Sequence, residues 1–139
     1  MRIVTALLSI SALAACSAGG GKTGLQGWQW DAVYIRVSDS TAFVDADPMP
    51  FIVFTSDTTI SGNTGCNGFA GRYTLDEDGN ITLSVEAMTM ILCMETETEP
   101  VYIEQLQLAE RYGFAGDTLV LTDPGGTAQI KFTKNDIKQ

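Results

Sequence analysis

Apolar residues recur along the chain at two spacings, and together they predict many short strands and one helix. Gln29 separates Trp28 from Trp30, so both tryptophans fall on one face of a strand at period two. Burial of that face on a core is the simplest use of the pair, with a carbohydrate platform of paired aromatics as the alternative. Tyr34-Ile35-Arg36-Val37 either extends this strand or opens another, and residues 38–47 read as a polar, acidic loop ahead of Pro48 and Pro50. Phe51-Ile52-Val53-Phe54-Thr55 is β-branched and aromatic throughout and predicts a strand. Ser56-Asp57 then turns the chain into a second strand over residues 58–62. Residues 69–75 and 81–85 predict a hairpin around the acidic turn Asp76-Glu77-Asp78-Gly79-Asn80, and residues 118–122 and 128–132 predict another across Asp123-Pro124-Gly125-Gly126.

Between these hairpins the period changes. Tyr102, Leu106, Ala109 and Tyr112, flanked by Ile103, lie on one side of a helix over about residues 99–112. Thr98 suits its N-cap, Pro100 its first turn and Gly113 its stop, while Glu95, Glu97 and Glu99 complement the positive end of the dipole. The predicted fold is mainly β of the α+β kind: a strongly curved antiparallel sheet or partly open barrel with one helix packed against it. Residues 62–73 form the densest local signal, four glycines within ten positions around Cys66, and read as a sharp corner running into a strand.

The amino terminus has another character. Met1-Arg2, the apolar run over residues 3–13 and Ala14-Ala15-Cys16 have the three-part layout of a secretory signal. The run would span only ~17 Å as a helix, well short of the roughly 30 Å of a bilayer's hydrocarbon core. Leu13-Ala14-Ala15-Cys16 resembles the lipobox of bacterial lipoproteins, which implies an acylated Cys16 and, with Ser17 rather than aspartate after it, sorting to the outer membrane, facing the periplasm. Three cysteines then resolve into one anchor at Cys16 and one potential pair, Cys66 and Cys93, in an oxidising compartment. Two reduced, buried thiols are the alternative. The resulting division is a signal peptide over 1–15, a lipidated cysteine and flexible tether over 16–24, one domain over 25–134 and a polar tail over 135–139.

Charge and chemistry narrow the function further. The formal charge is −9, and losing Arg2 with the signal makes the remainder −10. Such a surface repels phosphate backbones, which argues against nucleic acid as a partner. There is no histidine, so the usual general base and commonest metal ligand are missing. The glycine corner lacks the Lys-Ser/Thr ending of a phosphate loop, and the 76–80 turn has the wrong register for a calcium-binding EF-hand. Neither catalytic residues, a cofactor nor a metal site is expected. Paired carboxylates, Asp76 with Asp78 or Glu97 with Glu99, are the only candidates for acid–base work. Met88, Met90, Ile91, Leu92 and Met94 are apolar surplus. Methionines can line adaptable sites but more often fill a core, and a core role is expected here.

Trp28, residues 51–54, Gly62, Gly65-Cys66-Asn67 with Phe69, Gly71 and Tyr73, and Thr89 ahead of Cys93 form a pattern that resembles the META domain, the HslJ-like family of small bacterial envelope and stress-associated proteins. Glu99, Tyr102, Leu106, Tyr112, Gly116-Asp117, Leu119, Leu121 and Phe132 continue it across nearly the whole domain. Ile91-Leu92 stands where the family usually has Met-Ala, an apolar exchange. The resemblance implies a Cys66–Cys93 disulfide and a non-catalytic envelope module, stress-associated or serving envelope maintenance, held to the membrane through Cys16. It also implies an alternative: META-like domains are similar to secretin-pilot lipoproteins, which bind an apolar ligand or a partner's peptide.

Overall fold

The computed structural model describes residues 23–44, 46–94 and 97–137. The signal peptide, Cys16 with residues 17–22 of the tether, and Glu95 lie outside them. Nine strands and one helix follow in the order β1 (Gln29–Ser38), β2 (Thr41–Val44), β3 (Phe51–Phe54), β4 (Thr59–Asn63), β5 (Gly68–Leu75), β6 (Ile81–Met88), α1 (Thr98–Leu108), β7 (Arg111–Ala115), β8 (Thr118–Thr122) and β9 (Ala128–Asn135). Every strand pairing is antiparallel, and the spatial order is β6-β5-β4-β3-β1-β9-β8-β7, with β2 folded back on the outer half of β1.

The sheet curls strongly enough to form a half-barrel. Its two ends meet at one point, where Asn80 bridges Arg111, the Ile81 amide donates to the Glu110 carbonyl at 2.9 Å and the Tyr112 amide donates to the Gly79 carbonyl at 3.2 Å. Beyond that bridge α1 packs against β6, β1 and β9, and the Gln107 side chain accepts the Val85 amide at 3.4 Å. The helix thus supplies to the β6 edge a partner that a ninth neighbouring strand would have supplied.

Alternation on the strands fills the interior. Trp30, Ile52, Phe54, Ile60, Phe69, Tyr73, Leu119, Leu121, Ile130 and Phe132 point inward, and Tyr102 and Leu106 of α1 close over them. Trp30 is buried and donates its indole N–H to the Leu25 carbonyl at 2.8 Å, whereas half-buried Trp28 lies under the Lys134 ammonium. The two tryptophans therefore form no exposed platform.

Three predicted elements change. The helix ends at Leu108, because Glu110 and Arg111 are drawn into the sheet: the Glu110 amide donates to the Thr122 carbonyl, and Tyr112 and Gly113 pair with Leu121 and Val120. A hairpin across Gly116-Asp117 satisfies those backbone groups in a way one more helical turn would not. Thr98 is the first helical residue rather than the cap, because Glu97 already has helical backbone angles. Residues 38–47, expected as a loop, contain β2, and the last strand, expected over residues 128–132, runs on to Asn135, which pairs with Gln29 of β1.

Candidate functional site

The glycine corner sits where β4 passes into β5, and each residue of its motif has a geometric task. Gly65 has φ +93°, a left-handed conformation that penalises other residues, and a Cβ there would lie 2.6 Å from the Pro48 carbonyl oxygen. The Thr64 hydroxyl accepts the amides of Cys66 and Asn67 at 3.2 and 2.9 Å and donates to the Glu99 carboxylate on the first turn of α1. Gly71 lies opposite a bulge at Glu86 of β6, and a Cβ there would overlap the Ser84 carbonyl oxygen. The Tyr73 hydroxyl donates to the Ser56 carbonyl at 2.7 Å, and burial raises its pKa above the usual phenol value.

Asn67 is the hub. It is 2% exposed, and its amide oxygen accepts the Thr89 hydroxyl at 2.8 Å and the Ile91 amide at 2.6 Å. Its amide nitrogen donates to the Ile91 carbonyl at 3.2 Å and to the Glu99 carboxylate at 2.9 Å. A disulfide joins Cys66 to Cys93 with Cα atoms 6.0 Å apart. The corner therefore grips the 89–93 segment three times, at Thr89, at the Ile91 backbone and at Cys93, and grips the helix start through Glu99.

This grip determines what the segment shows to solvent. With Thr89 and Cys93 turned toward the corner, the alternate side chains face outward: Met90 is 86% exposed, Leu92 99% and Met94 101%, with Ile91 also exposed. The methionines do not fill the core, contrary to expectation, because the inward positions of this extended stretch are spent on the hydrogen bonds and the disulfide. Met88, at the end of β6, borders two grooves. One, of about 470 Å³, runs along the outer face of α1 between Pro100, Ile103, Leu108, Glu99, Glu104 and Gln107. The other lies over Phe69, Ala70 and Ala87. Exposed apolar side chains gathered in this way mark contact surfaces more often than scattered ones do.

Of the carboxylates named for acid–base work, one in each pair is otherwise engaged. Asp76 accepts the amides of Asp78 and Asn80, both at 2.9 Å, and the Asn80 side chain at 2.6 Å; the Asn80 side-chain bond, followed by the backbone bonds, lowers its pKa. Glu99 is bonded into the corner, and exposed Glu97 precedes the helix without capping it. Among the described residues no three His, Cys, Asp or Glu side chains gather as a metal site would require. Of the motif residues Gly65, Cys66, Asn67, Gly71, Tyr73, Thr89 and Cys93, the structure brings Gly65, Cys66, Asn67, Thr89 and Cys93 together, and it adds Thr64, which no sequence pattern marked. Cys16 lies outside the described residues.

The family model of the META domain matches residues 23–136. No curated protein matches the chain. Two solved structures share its fold: a DUF4847 family protein from Bacteroides vulgatus, 16% identical with a TM-score of 0.58, covering 82% of this chain and 96% of its own, and a protein determined by NMR, 21% identical with a TM-score of 0.57, covering 83% and 95%.

Proposed function

The chain belongs to the META-domain family, and on that premise we propose that it is a non-catalytic, lipid-anchored envelope protein whose disulfide-tied domain offers the 88–94 segment to another envelope component, in a stress-associated or envelope-maintenance role. The observation that carries the reading is the exposed row Met90, Leu92 and Met94, held out by a buried polar hub. Apolar side chains fully in water gain nothing for the fold, so contact with a partner is their natural use. The disulfide supports an oxidising compartment, and with Cys66 and Cys93 joined to each other, Cys16 is left for the anchor.

Mass spectrometry of the protein extracted from cell envelopes tests the anchor. A mature chain starting at acylated Cys16, with Cys16→Ser moving the protein to the soluble fraction, is the expected result. An unmodified Cys16 on a membrane-bound protein would overturn it.

A second reading is favoured by the groove along α1. Met88, Pro100, Ile103 and Leu108 give it an apolar floor large enough for an acyl chain or an apolar peptide. In this reading the domain is a pilot-like binder, and native lipid retained on purification would support it.

A further inference from the structure

We infer that the α1 groove and the row beside it receive a basic amphipathic peptide segment, with apolar side chains seated on the groove floor and Lys or Arg facing its acidic rim. The inference rests on the reading of this domain as an interaction module, and it names the chemistry of the partner. Charge complementarity selects that partner. Between Arg72 and Arg111 the sequence holds nine acidic residues and no lysine, arginine or histidine. This stretch includes β6, the 89–94 segment and all of α1. Glu99 and Glu104 line the groove itself, and Glu97 and Glu110 are exposed at the two ends of the helix. Of the acids here, Glu86 faces Arg72 at 3.5 Å and Asp76 feels the charge of Arg111, and neither of these two acids lines the groove.

An acidic or phosphate-bearing ligand would meet uncompensated like charge along this rim, whereas a Lys/Arg-flanked segment gains at each position. The groove runs from Pro100 to Leu108, ~12 Å of helix, which matches two to three turns of an apolar helical face. Met88, Met90 and Met94 are unbranched and polarizable and adapt to the face presented.

The probe is a Leu/Lys amphipathic peptide of ~14 residues, compared with its Leu/Glu twin. The protein is full length, carries methyl-labelled methionine and is reconstituted in phosphatidylcholine nanodiscs. The Leu/Lys peptide is expected to shift the Met88, Met90 and Met94 methyl signals saturably and to leave Met49 in place. It should bind at least ~10-fold more tightly than the twin at low salt and lose that advantage as salt rises. E97Q combined with E104Q, both at exposed positions, should weaken it ~3-fold or more. Equal binding of the two peptides, or no shift at the three methyls, would overturn the inference. So would broadening of those methyls by spin-labelled lipid in the nanodisc, since that would place the bilayer on the surface. The titration reads the same whether or not Cys16 carries lipid, so its failure and the failure of the anchor are distinguishable.

Discussion

Replacing Asn67 with alanine should uncouple the corner from the segment it holds. The side chain is buried, and its loss removes two bonds to the Ile91 backbone, one to Thr89 and one to the Glu99 carboxylate. A hydrogen bond to a charged group contributes about 1.5–3 kcal/mol and a neutral one about 0.5–1.5 kcal/mol. Thr89 and Ile91 are exposed enough to regain water, so the neutral bonds count at the low end and the total is roughly 3 kcal/mol. The disulfide stays intact in both states, so the change should appear as a lower urea midpoint with an unaltered slope. Hydrogen exchange supplies the local readout, with the Ile91 amide losing its protection first. Thr74→Ala, at an exposed position on β5, is the control and should lie within about 0.5 kcal/mol of the parent. A loss below about 1 kcal/mol for Asn67→Ala, or an Ile91 amide that stays protected, would refute the assignment of Asn67 as the hub.

Other consequences are open to the same measurements. Replacing Cys66 and Cys93 together with serine reopens a loop with a sequence separation of 27, and should cost about 3.5 kcal/mol by urea unfolding on loop entropy. Gly71→Ala places a Cβ on the Ser84 carbonyl and should cost more than about 3 kcal/mol or prevent folding, whereas Gly113→Ala, with open space around it, should be neutral within about 0.5 kcal/mol. The Tyr102 hydroxyl is fully buried and has no hydrogen-bond partner among the described residues. Tyr102→Phe should therefore leave stability unchanged or raise it by up to about 1 kcal/mol in urea unfolding. Burial raises the pKa of Tyr102 well above its ordinary value and also raises that of Tyr73. Their contribution is complete below the unfolded phenol pKa near 10 and is lost as pH rises from there through the folded values, so alkaline unfolding should begin later in Tyr102→Phe. Asp76 runs the other way: its lowered pKa gives a contribution present above the unfolded carboxyl value near 3.9 and lost as pH falls through the folded one. An NMR titration should show the 76–80 turn loosening only in acid.

Much of this architecture is readable as local pattern. Residues 51–54 and 118–122 are short runs of apolar and β-branched residues, residues 69–75 alternate, and each is a strand as expected. Cys66 and Cys93 pair as the resemblance implied. What escapes the sequence is set by distant partners. Tyr112 has helical spacing from Leu106 and Ala109, yet it also alternates with Phe114, and only the β8 strand across the Gly116-Asp117 turn decides for the sheet. The β2 strand has no period of its own and exists because β1 is long enough to offer it an edge. The outward methionines escape the sequence for a related reason: apolar character is local, but which side of the 89–94 stretch faces inward depends on an asparagine more than twenty residues earlier.

If Met90, Leu92 and Met94 serve a surface, the fold does not need them. The urea unfolding free energy of M90S/L92S/M94S measures this directly. A value within about 0.5 kcal/mol of the parent is expected, because no apolar burial is lost. A loss of 2 kcal/mol or more, about the cost of truncating even one buried leucine or methionine, would show that these side chains are packed and would contradict their surface role.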